Sequence, residues 1–182
     1  MKASIRDVTP ENVKGIPEPC KACLYWENPA LKGGQSPAEK EQFAAQKAAW
    51  FLKTLKEFGN CGKIVCANSG PVGYAQYSCA GRLPNTLEYG AEKLETADVK
   101  VAFISCLYIV NESFRGKGFG EKLLDEIVTD LKKRGFKAVE TFVRKGSSNN
   151  PSGPMQLYLK KGFYVKEQLK ADPDFALVKM NL

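Results

Sequence analysis

The run Arg115-Gly116-Lys117-Gly118-Phe119-Gly120 constrains this chain more than any other segment, because it lies between a hydrophobic stretch and a helical one. Alternating glycines let the backbone come close to a ligand with its N–H groups exposed. A helix opening directly after them adds unpaired N–H donors and a partial positive charge. A turn of this kind is built to hold phosphate.

The flanks give the run its meaning, since 16 glycines are spread along the chain. Upstream, Val101 to Val110 is continuously apolar and rich in β-branched and aromatic residues, which predicts a central strand covered on both faces. Downstream, Leu123, Leu124, Ile127, Val128 and Leu131 recur at helical spacing, and Gly135 is placed to end the helix. Two nucleotide readings fit poorly. A Walker loop would close on Gly-Lys-Ser/Thr, whereas Gly120 is followed by Glu121-Lys122. A dinucleotide fold would carry its glycines in the first strand–helix unit, with further parallel units behind it. Here they come two-thirds along.

A chain of 182 residues with 43% hydrophobic residues predicts one domain, 1–182, with a substantial core. No apolar run approaches the roughly 20 residues of a membrane helix, and the N-terminal residues alternate charged and apolar types, unlike a secretory signal. The expectation is a cytoplasmic protein without membrane contact, its six cysteines mostly reduced. The chain contains no histidine. Ser–His and Cys–His nucleophile pairs, His-ligated metals and a histidine base are therefore excluded, and proton transfer falls to carboxylate, tyrosine, cysteine, lysine, the N-terminus or water. The net charge of +7 sits wholly within Arg115–Lys166, where twelve Lys/Arg face five Asp/Glu. A basic half suits a polyanionic cofactor and could also face nucleic acid; charge alone makes nucleic acid the weaker reading.

Residues 4–8 read as a first strand. An irregular stretch, 10–34, follows and contains Cys20, Cys23, Tyr25, Trp26 and Glu27. A long helix then opens on Ser36 as N-cap, with Pro37 in the first turn and Glu39 completing a capping box. Its expected buried stripe is Phe43, Trp50, Phe51, Leu55 and Phe58, and Gly59 ends it. Residues 63–67 and 72–78 predict a hairpin around Asn68-Ser69-Gly70-Pro71, and 80–98 a long loop. After the glycine turn and its helix come a strand at 137–143, a loop over Gly146–Pro154, a short helix carrying Tyr158, and closing strands near 163–168 and 175–180. The order predicts an α/β (α+β) domain with a mixed sheet.

The glycine run also carries Arg115-x-x-Gly118-x-Gly120, and Tyr158-Leu159-Lys160-Lys161-Gly162-Phe163 places a tyrosine four residues before a Gly-Phe pair. One helix and one strand separate the two motifs. With the opening Ser4-Ile5-Arg6-Asp7-Val8-Thr9-Pro10-Glu11, this pattern resembles the GNAT superfamily of N-acetyltransferases. The resemblance implies a central mixed, mostly antiparallel sheet flanked by helices, an acyl-CoA-binding part over about 99–165 and a variable acceptor side over about 10–60. It implies acetyl-CoA as acyl donor and an amine acceptor that the sequence does not identify; a homodimer is left open.

By that resemblance, Gly116, Lys117, Gly118, Phe119 and Gly120 hold the cofactor phosphates through backbone N–H groups, and Arg115 and Lys117 add charge beside them. Tyr108, Ile109 and Val110 pair with the pantetheine arm, and one of their amides polarises the thioester carbonyl. Tyr158 is the expected general acid for the leaving thiolate. The asparagine that the family places seven residues before this tyrosine is replaced by Pro151, so Asn149 or Asn150 is expected to shift into its role, Asn150 being the closer. No carboxylate marks the base. Glu27, Glu112 and Glu140 are candidates, Glu140 being expected as a surface charge, and an ordered-water relay competes with them. Cys106 on the fourth strand is expected as inert packing.

Cys20, Cys23, Tyr25, Trp26 and Glu27 are expected to form an aromatic, mildly acidic acceptor wall suited to a cationic or aromatic amine. Cys20 and Cys23 have half of a zinc spacing. Cys61 and Cys66, however, run into a predicted strand, so no structural metal is expected. The leading function is transfer of acetyl to a primary amine of a small molecule or peptide by direct attack. A non-catalytic acyl-CoA-binding module on the same fold is the alternative.

Overall fold

The computed structural model describes residues 3–31, 36–67, 70–98, 100–146, 150 and 152–182. The turn residues Asn68 and Ser69, the loop glycines Gly33 and Gly34, and Asn149 and Pro151 fall outside them.

Among the described residues, seven strands form one sheet: β1 (Ala3–Asp7), β2 (Gly62–Ala67), β3 (Gly70–Ser78), β4 (Val101–Ile109), β5 (Ala138–Arg144), β6 (Tyr164–Gln168) and β7 (Phe175–Asn181). Their spatial order is β1-β2-β3-β4-β5-β7-β6. Every pairing is antiparallel except β4 with β5. The mixed, mostly antiparallel sheet expected from the sequence is therefore present.

The helices α1 (Pro37–Phe58), α2 (Phe119–Lys133) and α3 (Met155–Lys160) flank it. Alternating side chains feed two layers. Val65, Ala102, Ile104 and Val139 pack against Leu123, Leu124, Ile127 and Leu131 of α2. On the opposite face, Ile64 and Tyr74 pack with Phe51 of α1. No helix among the described residues is long and apolar enough to cross a membrane.

α1 opens as its sequence predicts. The Glu39 N–H donates to Ser36 Oγ (3.3 Å), and the Ser36 N–H donates to Glu39 Oε2 (2.6 Å). Its buried stripe differs from the apolar pattern. Phe43 and Phe51 are buried, but so are Lys47 and Thr54, while Trp50, Leu55 and Phe58 are only partly covered. Trp50 stays at the margin because its indole N–H donates to the Arg82 carbonyl (3.3 Å).

The expected loop over 80–98 contains two 3-10 segments, Ala80–Arg82 and Pro84–Tyr89. They deliver Tyr89 into an aromatic stack, with ring centroids 5.5 Å from Trp26 and 4.3 Å from Phe142. One expectation is corrected here. Glu140 is no surface charge, being only 1% exposed. It lies on β5 inside the sheet, accepts from Lys166 Nζ (2.6 Å), and accepts from the Glu95 N–H (3.1 Å), so it fastens the 92–98 loop to the sheet.

Two irregularities in β4 prepare the site. Opposite β3, Gln76 faces Cys106 but Tyr77 faces Ile104, which leaves Ser105 as the extra residue of a β-bulge. The Ser105 hydroxyl donates to the Gln76 carbonyl (3.2 Å) and keeps this buried kink satisfied. Opposite β5, pairing runs only from Val101↔Ala138 to Phe103↔Glu140. Beyond that point the two parallel strands part.

Candidate active site

Where β4 and β5 part, a cleft of about 480 Å³ opens between β4, the glycine turn and α3. Of the expected cofactor contacts, Tyr108, Ile109, Arg115, Gly116, Gly118, Phe119, Gly120 and Asn150 line it. Val110 and Lys117 do not. Leu107, Phe114, Glu121, Gly153, Pro154 and Leu157 line it without having been expected. Leu157 follows from the amphipathic turn of α3. The others depend on how chain segments meet.

The glycine turn is shaped for a close ligand. Gly116 (φ 71°) and Gly118 (φ 80°) are in the left-handed region, where side chains are strained. Among the described residues, no acceptor takes the N–H of Gly116, Lys117 or Gly118. The first N–H groups of α2 lack intrahelical partners by geometry. A row of unpaired donors therefore stands beside the positive end of a 15-residue helix, with Gly116 and Gly118 lining the cleft. A Cβ on Gly120 would come to 3.4 Å from Leu107 Cδ2, so its absence lets α2 sit close to β4.

Arg115 is spent differently from the expected phosphate contact. Its Nε donates to the Ile109 carbonyl (3.0 Å), one terminal nitrogen pairs with Glu112 (3.0 Å), and the other donates to the Tyr108 hydroxyl (2.8 Å). The guanidinium pins the end of β4 and the Tyr108 ring. Asn150 is buried and donates its side-chain N–H to the Gly153 carbonyl (3.1 Å), which shapes the wall beside α3.

Tyr158 is fully buried on α3, edge-on to Phe163 at 5.1 Å. Its hydroxyl donates to the Ser152 carbonyl. Thr141 Oγ1, on β5, donates to the Ile104 carbonyl (2.7 Å), across the first gap between β4 and β5. Tyr158 does not line the cleft; its neighbour Leu157 does. Burial, then the nearby Cys106, pushes its ionisation well above the ordinary tyrosine range, so the phenol keeps its proton at neutral pH.

On the other face of β4 the expected acceptor wall divides. Tyr25 is 44% exposed, and its hydroxyl meets that of Tyr89 (3.1 Å). Cys23 is exposed as well. Trp26, by contrast, is buried in the core with Phe103 and Leu177. Glu27 is also interior. Its Oε1 accepts from Lys47 Nζ (2.6 Å) and from Gln76 Nε2 (2.6 Å), Gln76 Oε1 accepts from the Tyr74 hydroxyl (2.9 Å), and Glu27 Oε2 is buried with no partner among the described residues. Lys47, Gln76 and Tyr74 escaped the sequence reading. One signal was present for Lys47, a lysine at helical spacing between Phe43 and Phe51 on the apolar stripe.

Among the described residues, no three His, Cys, Asp or Glu side chains gather into a metal-binding set. Cys66 lies within β2 and Cys61 immediately precedes it, as the strand reading expects.

Comparison with known proteins adds three findings. The family model described as the acetyltransferase (GNAT) family matches residues 22–163. A curated relative, an uncharacterized N-acetyltransferase of Methanocaldococcus jannaschii, is 33% identical over 169 residues; the match covers 92% of this chain and 63% of that protein's length. Two solved structures share the fold. The PaiA N-acetyltransferase of Thermoplasma acidophilum, in complex with coenzyme A, aligns at a TM-score of 0.61 and 18% identity over all of both chains. The yncA putative acetyltransferase of Salmonella typhimurium, with acetyl-CoA, aligns at 0.63 and 17% identity over 100% of this chain and 95% of that one.

Proposed function

The chain belongs to the acetyltransferase (GNAT) family, and we propose that it moves an acetyl group from acetyl-CoA to a primary amine of a small molecule or peptide by direct attack. One observation carries this reading: the cleft at the β4–β5 splay ends on a glycine turn whose Gly116, Lys117 and Gly118 N–H groups point to no acceptor among the described residues. Those donors, with the start of α2, take the pyrophosphate. Lys117 adds charge beside that turn, and Asn150 stands in the wall of the same cleft.

β4 offers its free edge to the pantetheine arm. The Val110 N–H already donates to the Val72 carbonyl (3.0 Å) across β3. By the alternation of a strand, the Ile109 N–H and carbonyl face the opposite, open edge. Ile109 is therefore the residue whose N–H polarises the thioester carbonyl, while Tyr108 and Val110 flank it. Arg115 holds the Ile109 carbonyl and so fixes the direction of that amide. Tyr158 supplies a proton to the departing thiolate by giving up its bond to Ser152; burial keeps that proton available. The acceptor arrives on the opposite face of β4, past Cys20, Cys23, Tyr25 and the Glu27 region, with Trp26 bracing that loop from within. Water carries the amine proton away.

A second reading, a non-catalytic acyl-CoA-binding module, draws on one observation. Glu27, the one carboxylate of the expected acceptor wall, is already ion-paired with Lys47 through Oε1. Incubation with acetyl-CoA and a panel of amines and peptides, read by mass spectrometry, separates the two. An acetylated amine that depends on the protein supports transfer; binding of acetyl-CoA with no product from any amine favours the module.

A further inference from the structure

One buried residue joins the acceptor-side loop to the strand that forms the site. Gln76 on β3 is wholly buried. Its Nε2 donates to Glu27 Oε1 (2.6 Å), and its Oε1 accepts from the Tyr74 hydroxyl (2.9 Å). Lys47 Nζ of α1 donates to the same Glu27 oxygen (2.6 Å). A carboxylate only accepts, so exchanging the two ends of the amide would set oxygen against oxygen at Glu27. The side chain of Gln76 therefore has one orientation. Its main-chain carbonyl accepts from the hydroxyl of Ser105, the bulged residue of β4 (3.2 Å). From the other edge of β4, Thr141 Oγ1 donates to the Ile104 carbonyl (2.7 Å). β4 is thus gripped on both edges at 104–105. That point lies just after its last pairing with β5, Phe103↔Glu140, and just before Leu107, Tyr108 and Ile109, which line the cleft.

We propose that Gln76 is a positioning residue for acyl transfer: locked by Glu27 and Tyr74, it holds the Ser105 bulge and so fixes the direction of the Ile109 amide. The inference rests on the transferase reading above. Gln76 does not line the cleft, so it acts through Ser105 and not on the cofactor.

Strand geometry makes the bulge matter. A change of register by one residue turns side chains and N–H groups to the opposite side. The Ile109 N–H therefore points to the open edge of β4 only while the extra residue is held upstream of it, at Ser105. A donor that polarises a thioester carbonyl acts through its aim, and small misplacements are costly. Energetics point the same way. Replacing a buried ion pair by apolar side chains is often neutral for stability. Stability alone thus gives no reason to set Lys47, Glu27, Gln76 and Tyr74 beneath one backbone kink, whereas a fixed geometry does. The glycine turn takes no part in this chain of bonds, so cofactor affinity is expected to survive its disruption.

The test follows two readouts in the full chain. One is kcat and KM for acetyl transfer to the amine that the panel identifies. The other is the carbon-13 resonance of bound acetyl-CoA labelled at its carbonyl, which moves downfield as the carbonyl is polarised. Ser105→Ala cuts the link with little change in shape, and Gln76→Glu sets a second carboxylate against Glu27. Both variants should lower kcat about ten-fold or more, leave KM for acetyl-CoA nearly unchanged, and move the resonance back toward that of the free thioester. Gln76→Glu combined with Glu27→Gln exchanges the amide and the carboxylate, restores a donor opposite an acceptor, and should recover both readouts. A network that only stabilises the fold would lower Tm and leave kcat and the resonance at wild-type values; that result in Ser105→Ala would overturn the proposal. So would a raised KM for acetyl-CoA with kcat unchanged, or an exchanged pair that regains Tm without regaining kcat. Should Gln76→Glu fail to fold, Ser105→Ala and the exchanged pair decide. If the wild type acetylates no amine, the transferase reading fails by itself, and the carbonyl resonance still decides whether Gln76 aims the amide.

Discussion

At the scale of single residues, the account places its heaviest demand on Tyr158. The phenol is wrapped in core side chains, and its hydroxyl is held by the Ser152 carbonyl rather than by bulk water. Tyr158→Phe keeps the ring and its contact with Phe163 and removes only the proton donor. Turnover is expected to fall about a hundred-fold with acetyl-CoA affinity nearly unchanged. Loss of the bond to Ser152 should cost about 1 kcal/mol of stability, readable in urea unfolding. Full activity in the variant, with chemistry rate-limiting, would remove Tyr158 from the mechanism. The Lys47–Glu27 pair offers a second test. Both side chains are almost wholly buried, so Lys47→Met strands a carboxylate and should cost about 3–5 kcal/mol, while Lys47→Met with Glu27→Gln should recover most of it. The place of Tyr158 on a short helix was legible because a motif marks it. Gln76 and Tyr74 were not, because their importance comes from a partner 49 residues away in the chain for Gln76, and from Gln76 itself for Tyr74.

At the scale of elements, α1 is the piece whose start the sequence specifies most fully. Ser36→Ala removes the N-cap acceptor and should destabilise the protein by about 1 kcal/mol, with no change in acetyl-CoA binding. The Ser36 backbone N–H, then the Ser36 side chain, hold the Glu39 carboxyl below its usual range. A carboxyl lowered on folding stabilises above its unfolded pKa and loses that stabilisation as pH falls through the folded value. Urea midpoints measured from pH 6 to pH 3 should therefore decline less steeply for Glu39→Gln than for the wild type. Identical slopes would show that the capping box adds nothing in solution. Helices and strands with a clear period were readable. The 3-10 segments over 80–89 were not, because Tyr89 is placed by Trp26 and Phe142, contacts that leave no local pattern. The same non-local origin explains Glu140, whose burial depends on the 92–98 loop folding over β5.

At the scale of the whole molecule, one event organises the site: β4 and β5 pair for three residues and then separate, and the glycine turn closes the gap they leave. The order of elements and the glycine-turn end of this cleft could be read from the sequence around Arg115–Gly120. The depth of the splay could not, since it is set by the Ser105 bulge and by Thr141 bridging to Ile104. The central claim is that this turn receives the cofactor's pyrophosphate. It is tested most directly by the acetyl-CoA-dependent shift in Tm of three proteins, the wild type, Gly118→Ala and Gly118→Asp. A ligand that binds only the folded state raises Tm. Both substitutions meet the same left-handed backbone and open space, but only the aspartate brings a negative charge to the phosphates. The account predicts a clear shift for the wild type, a reduced but measurable one for Gly118→Ala, and none for Gly118→Asp; equal shifts in the wild type and Gly118→Asp would contradict it.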